Sequence, residues 1–104
     1  MLELRPNCEH CDKDLPPNSP EARICSYECT YCVTCVEKRL QNVCPTCGGG
    51  FMPRPFRPHT SFRPELQLGL EYHPAKKKRR YSRFTAEDIA NLVARIKDIP
   101  PQDR

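Results

Sequence analysis

Large apolar residues are sparse in the first half of the chain and follow no sustained helical or strand period. Residues 1–50 contain ten of them: Leu2, Leu4, Leu15, Ile24, Tyr27, Tyr31, Val33, Val36, Leu40 and Val43. A core this thin supplies only about 3–5 kcal/mol, so a segment of this length needs cross-links to stay folded. The pattern therefore predicts a small domain that depends on disulfides or metal ions.

Beyond residue 50 the first regular pattern is an alternation of polar and apolar residues over 65–73. It places Leu66, Leu68, Leu70 and Tyr72 on one face, which predicts a strand weakened by Gly69. The preceding residues, 53–64, contain four prolines, which exclude a helix and favour extended polyproline II structure. We therefore expect a semi-rigid linker before this strand.

The second regular pattern predicts an amphipathic helix over residues 85–99. Thr85 is a suitable N-cap, and the acidic residues that follow it suit the positive end of the helix dipole. The apolar residues Ile89, Leu92, Val93 and Ile96 recur with helical spacing and form one stripe. Because a lone helix of this length is marginal in water, the stripe packs on the first half, docks on a partner or forms a dimer.

All eight cysteines lie between Cys8 and Cys47, as three C-x2-C pairs and one C-x3-C pair. Such close pairs let two sulfurs reach one Zn²⁺ at about 2.3 Å. The opening residues, Met-Leu-Glu-Leu-Arg-Pro, have neither the basic nor the apolar region of an export signal, so we expect a cytoplasmic protein. Thiols stay reduced there, which favours two zinc ions over a scaffold of four disulfides.

The central cysteines can be paired in two ways. In the favoured, interleaved arrangement, the first site contains Cys8, Cys11, Cys32 and Cys35, and the second contains Cys25, Cys29, Cys44 and Cys47. The sequential alternative assigns Cys8, Cys11, Cys25 and Cys29 to one site and the remaining four to the other. The interleaved arrangement is favoured because Cys32-Val-Thr-Cys35 reads as a turn entering a short helix, which pairs well with an early zinc knuckle at Cys8-Glu-His-Cys11.

The order of these pairs, ending in Cys44-Pro-Thr-Cys47, resembles a RING-type cross-brace with cysteine at all eight ligand positions. That resemblance implies two zinc ions, interleaved sites and a treble-clef-like ββα core. The segment from Glu3-Leu-Arg-Pro-Asn-Cys8 through Ile24-Cys25-Ser-Tyr-Glu-Cys29-Thr to Cys47-Gly-Gly is also similar to a family of short bacterial cysteine-rich proteins without an assigned function.

Two departures from the RING pattern bear on function. RING ligases dock the conjugating enzyme on an apolar residue between the first two ligands, where this chain has Glu9 and His10. They typically carry a basic residue after the last ligand, where this chain has Gly48. Ligase activity is therefore the less favoured alternative, and with every cysteine assigned to zinc we expect no enzyme activity.

Charge is distributed unevenly along the chain. Residues 1–50 carry five Lys/Arg and seven Asp/Glu, whereas residues 51–84 carry nine Lys/Arg and two Glu. The densest basic segment comprises Lys76, Lys77, Lys78, Arg79 and Arg80, with Arg83 nearby. It could contact nucleic acid phosphates or an acidic protein surface, including that of the cysteine module itself.

Together these patterns predict a small metal-stabilised α+β protein in three parts. They are a two-zinc RING-like module over 1–50, a Pro/Arg-rich basic linker over 51–84 and the helix over 85–99. We expect structural zinc sites and a protein-interaction or adaptor role, with nucleic-acid binding through residues 76–84 as the alternative. Neither a membrane span nor a small-molecule substrate is indicated.

Overall fold

The computed structural model describes residues 1–104, and its regular elements are short. The strands are β1 (Ala22–Ile24), β2 (Thr30–Cys32) and β3 (Met52–Pro53). The helices are α1 (Val33–Cys35), which continues as a π-helical turn (Val36–Leu40), and α2 (Ala86–Ile96), with 3-10 turns at Pro64–Leu66 and Pro101–Asp103. This is a small α+β arrangement, and none of its helices has the length and apolar character needed to cross a membrane.

The strands form one antiparallel sheet in the order β2-β1-β3. β1 pairs with β2 through Ala22 opposite Cys32, and with β3 through Ile24 opposite Met52. β3 follows the glycine run that ends at Gly50, the predicted end of the cysteine module. The packed unit therefore continues past residue 50, because the chain returns to complete the sheet.

The core is small and sulfur-rich. Six cysteines are among its fifteen buried residues, and they lie beside aliphatic side chains such as Leu15, Leu40 and Val43. Tyr31 and Phe51 meet edge to face, with ring centroids 5.5 Å apart. Since thiols occupy so much of this interior, whatever links them also holds the core together.

Arg54 joins the N-terminal segment to the end of the sheet. Its guanidinium is buried and donates hydrogen bonds to the carbonyl oxygens of Arg5, Leu15 and Pro16 at 2.9–3.0 Å. Burial lowers the pKa of Arg54, and these three carbonyls provide the polar contacts that a buried guanidinium needs. Arg54 therefore acts as an internal staple.

Helix α2 is found where the sequence predicts it, and its apolar stripe packs within the chain. Thr85 and Asp88 form a reciprocal capping box at its start. Ile89 and Val93 are buried in the core cluster, with Leu92 and Ile96 partly buried against it. The stripe proposed as a possible partner-binding face is thus covered by the cysteine module.

Gly48 lets this helix approach the last cysteine pair. Its φ of +77° lies in the left-handed region, and an added Cβ would lie 3.2 Å from Cδ1 of Ile96. The glycine run therefore serves a turn and a close packing contact.

The strand predicted over 65–73 is wrong. Gln67 and Gly69 adopt positive φ angles of +51° and +90°, which break the alternation, and Leu66 and Leu68 are exposed. An added Cβ at Gly69 would lie 2.9 Å from the carbonyl oxygen of Pro58, so the chain folds back on the proline-rich segment. Residues 58–73 form a loop, closed by the backbone hydrogen bond from Leu70 to Pro58.

The packing of α2 predicts that Ile89→Ala destabilises the full chain. Removing this buried side chain should lower the free energy of unfolding by about 2–5 kcal/mol, measured by denaturant titration of the metal-loaded protein. Asn91→Ala, on the exposed face of the same helix, is the matched control and should change stability little. Equal, small effects from both variants would mean that α2 does not pack on the module.

The role of Arg54 predicts a loss of stability on replacement by alanine. Arg54→Ala leaves three carbonyls without this donor, two of them in buried hydrogen bonds, and should cost on the order of 3 kcal/mol, measured as a shift in the denaturation midpoint. Arg63→Ala, at an exposed arginine of the loop, should leave the midpoint unchanged. An unshifted midpoint for Arg54→Ala would show that Arg54 does not stabilise the fold.

Candidate metal centre

The first cysteine cluster brings together two pairs that are distant in sequence. The Sγ atoms of Cys8, Cys11, Cys32 and Cys35 all lie within 4.8 Å of one another. Cys8 and Cys11 flank a tight turn in which the amide of Asp12 donates to the carbonyl of Cys8 at 2.9 Å. Cys32 ends β2 and Cys35 lies in α1, so the strand-to-helix junction supplies the second pair.

Distances in this cluster suit a tetrahedral metal ion. The Sγ atoms of Cys11 and Cys32 are 3.7 Å apart. Bonds of about 2.3 Å at tetrahedral angles place sulfurs about 3.8 Å apart. All eight cysteines are free thiols, so the first four form a set of donors that fits one ion.

The second cluster combines residues from the β1–β2 turn and from the segment after the π-helical turn. The Sγ atoms of Cys25, Cys44 and Cys47 lie within 4.8 Å of one another. Cys29 does not meet that limit with all three, although it is buried in the same core and its carbonyl accepts a hydrogen bond from the amide of Cys25 at 3.2 Å. Three of the four cysteines predicted for this site are thus gathered, and Cys29 borders them.

Backbone amides point at sulfur in both clusters. Cys11 donates to Sγ of Cys8 at 3.5 Å, Tyr27 to Sγ of Cys25 at 3.4 Å, and Gly49 to Sγ of Cys47 at 3.3 Å. Such donors favour the negatively charged thiolate, which is the form that binds metal. They also fix the direction of each sulfur through the backbone of its own turn.

The thiols perturb one another strongly. Burial raises the pKa of Cys8 and of Cys35. In the second cluster, the proximity of the two thiols lowers the pKa of Cys29 and raises that of Cys25. Loss of the proton is therefore unfavourable at the thiols whose pKa is raised unless a cation is present to compensate the negative charge. A divalent ion would provide that positive charge in either cluster.

A buried ion pair beside the clusters was missed by the sequence analysis. The carboxylate of Glu9 accepts hydrogen bonds from the guanidinium of Arg5 at 3.0 Å and from the amide of Thr30 at 2.6 Å. Burial alone would lower the pKa of Arg5, but its hydrogen bonds to Glu9 and Glu3 reverse the effect and raise it. The only sign of this ion pair in the sequence is that Arg5 and Glu9 carry opposite charges and lie four residues apart.

The basic segment is partly engaged within the chain. The guanidinium of Arg79 contacts Asp12 and Asp14, each at 2.7 Å, and these contacts raise its pKa. The side chain of Asn7 pairs with the backbone of Arg80, donating at 2.8 Å and accepting at 3.1 Å. Residues 76–84 therefore lie along the acidic module.

The remaining cations of this segment are exposed. Lys76, Lys77 and Lys78 are exposed, although the backbone amide of Lys76 donates to the carbonyl of Leu4 at 2.9 Å. The guanidinium of Arg83 lies 5.2 Å above the ring centroid of Phe84. The six basic residues predicted to act together are thus divided between internal contacts and the open surface.

The contacts of Arg79 predict that Arg79→Gln loosens residues 76–84 from the module. Amide hydrogen exchange at Ser82, which donates to the carbonyl of Glu9, should become faster, and added salt should have the same effect on the parent protein. Arg95→Gln, on the exposed face of α2, is the control. Unchanged exchange in Arg79→Gln would show that its ion pairs do not hold the segment.

Comparison with known proteins places the cysteine module in a family. A family model described as protein of unknown function (DUF1272) matches residues 1–57, which include both clusters, β3 and Arg54. An uncharacterized protein of Rhizobium meliloti (strain 1021) is 59% identical over 58 residues, which are 56% of this chain and 69% of that protein. No solved structure gives a significant match. The similarity to short bacterial cysteine-rich proteins is therefore confirmed, and the chain belongs to the DUF1272 family.

Proposed function

We propose that the chain is a binding module held together by two structural Zn²⁺ ions in a cross-brace. The first ion would be bound by Cys8, Cys11, Cys32 and Cys35, and the second by Cys25, Cys29, Cys44 and Cys47. The observation that carries this proposal is the grouping of the first cluster, which skips the pair at Cys25 and Cys29 and joins segments about twenty residues apart. An interleaved arrangement follows if both groups bind metal.

Zinc is the ion that this donor set fits best. Four thiolates at tetrahedral spacing suit Zn²⁺, which has no geometric preference of its own and binds sulfur strongly. Cys29 is the proposed fourth ligand of the second site because it is the one cysteine outside the two groups, and it is buried in the same core with its carbonyl hydrogen-bonded to the amide of Cys25. Each such site contributes on the order of 10–16 kcal/mol of apparent binding free energy, more than the small apolar core can supply.

We infer that the sites are structural and that the module performs no chemistry of its own. Four protein ligands close the coordination shell of each ion, so no position is left for a substrate. Ligase-like activity has little support, because Glu9 is buried in its contacts with Arg5 and Thr30 and offers no apolar surface. A glycine still follows Cys47 where a basic residue would be needed.

The adaptor role is supported by the loop of residues 58–73. Its apolar side chains at Phe62, Leu66 and Leu68 are between 49% and 81% exposed, although the loop is held at its base. The guanidinium of Arg57 donates to the carbonyls of Leu2 and His73, each at 2.6 Å. Exposed apolar side chains on a supported loop are suited to a protein partner.

Paired cysteine variants test the cross-brace. In the interleaved arrangement, Cys11→Ser/Cys35→Ser removes ligands from one site only, so native mass spectrometry should find one zinc per chain instead of two. In the sequential arrangement the same variant damages both sites. Cys11→Ser/Cys29→Ser is the matched counterpart, because it damages both sites only if they interleave.

The absorption spectrum of the Co²⁺-substituted protein provides a second readout in case a variant folds poorly. Tetrahedral thiolate coordination should persist at one site in Cys11→Ser/Cys35→Ser and be lost from both in Cys11→Ser/Cys29→Ser. The reverse pattern would establish sequential sites. Parent protein that binds no metal would refute the proposal as a whole.

A further inference from the structure

A cleft lies between the second cysteine cluster and residues 80–84, where the basic segment crosses the module. Its volume is about 650 Å³, within the usual range of ligand sites. Three aromatic and three basic side chains dominate its lining: Tyr27, Tyr81, Phe84, Arg5, Arg80 and Arg83. Aromatic rings and guanidinium groups thus converge on one opening, from segments more than fifty residues apart.

The two tyrosine rings are exposed although the backbone around them is fixed. Tyr27 is 72% exposed and Tyr81 is 59% exposed. The amide of Tyr27 donates to Sγ of Cys25, and the neighbours of Tyr81 are hydrogen-bonded to Asn7 and Glu9. Neither ring is needed to fill the core, so their shared place at the cleft mouth needs another explanation.

The charges of the cleft are unequally available. Arg5 is held by Glu9 and Glu3 and adds no free positive charge. Arg80 lies 3.6 Å from Glu3 but its side chain is half exposed, and Arg83 forms no ion pair. Arg83 is therefore available to meet an anion, and Arg80 can do so by leaving its longer contact with Glu3, with Lys76, Lys77 and Lys78 further along the same segment.

We propose that this cleft binds single-stranded nucleic acid. One base stacks on Tyr27 and another on Tyr81, and the adjoining phosphates contact Arg80 and Arg83. Stacking platforms beside a basic track are the recurring design of proteins that bind single strands. The inference rests on the proposed function in one respect, since the second metal site fixes the turn that carries Tyr27.

A single strand explains the cleft better than a duplex or an acidic protein. In a duplex the bases are stacked on one another, so exposed rings cannot reach their faces. An acidic peptide would use the arginines and lysines but gives no role to two exposed tyrosine rings. This assignment narrows the predicted nucleic-acid contact of residues 76–84 to the part that borders the cleft, residues 80–84, and adds Tyr27.

Fluorescence anisotropy of the zinc-loaded full chain with a labelled eight-nucleotide oligothymidylate tests this inference. Tyr27→Ala and Tyr81→Ala should each weaken binding by about fivefold to a hundredfold, the usual effect of losing one stacked base. Two phosphate contacts predict a slope near −1.4 in a plot of log affinity against log salt, with additional slope from the lysines. Arg83→Gln should reduce the slope.

Tyr72→Ala and Arg95→Gln are the matched controls, since both residues are exposed and neither lines the cleft. An oligomer of the same length with abasic sites should bind as weakly as the tyrosine variants bind the intact strand. Equal binding of intact and abasic strands, or of single strands and duplex, would overturn the inference. So would binding that depends on Lys76, Lys77 and Lys78 but not on the tyrosines.

The same samples separate this inference from the proposed function. Zinc content is measured on each preparation before titration. Two zinc ions per chain with no strand binding at low salt would overturn the cleft assignment and leave the metal proposal standing, with a protein as the partner. Tyrosine-dependent strand binding by a chain that holds no zinc would contradict the metal proposal and show that the turn carrying Tyr27 is held without the second site, while the cleft assignment itself would stand.

Discussion

The convergence of sulfur atoms from distant segments on two clusters is the constraint on which the rest of this structure depends. The strands have two or three residues each and α1 has three, so none of these elements is stable alone. Pairing Cys8 and Cys11 with Cys32 and Cys35 brings the N-terminal turn to the strand-to-helix junction. The second cluster then ties the β1–β2 turn to the segment that leads into β3.

The residues after β3 pack on this unit but add no further strand to its sheet. Helix α2 covers one side of the sulfur-rich core with Ile89 and Val93, while residues 76–84 cross another side. Arg79 and Asn7 make that crossing specific, because a guanidinium meets two carboxylates and a side-chain amide pairs with the backbone. The acidic module and the basic segment are therefore complementary parts of one molecule.

Elements defined by local rules could be predicted from the sequence. Helix α2 begins at the capping residue expected, Thr85, and the close cysteine pairs lie in turns that direct sulfur toward a common point. Features set by tertiary contact could not be predicted. The alternation around Leu66 and Leu68 suggested a strand, but Gly69 in the left-handed region folds the segment back on Pro58. The local sequence placed Arg54 in a proline-rich linker. Its buried role could not be predicted, because the three carbonyls that accept its hydrogen bonds belong to residues far away in the sequence.

X-ray absorption spectroscopy at the zinc edge of the purified chain tests the central claim most directly. The account predicts two zinc ions per chain, each with four sulfur neighbours at about 2.3 Å and no nitrogen or oxygen in the shell. That result would also assign Cys29 to the second site, since only eight sulfurs can fill two such shells. A shell containing nitrogen or oxygen, or a chain without zinc, would contradict it.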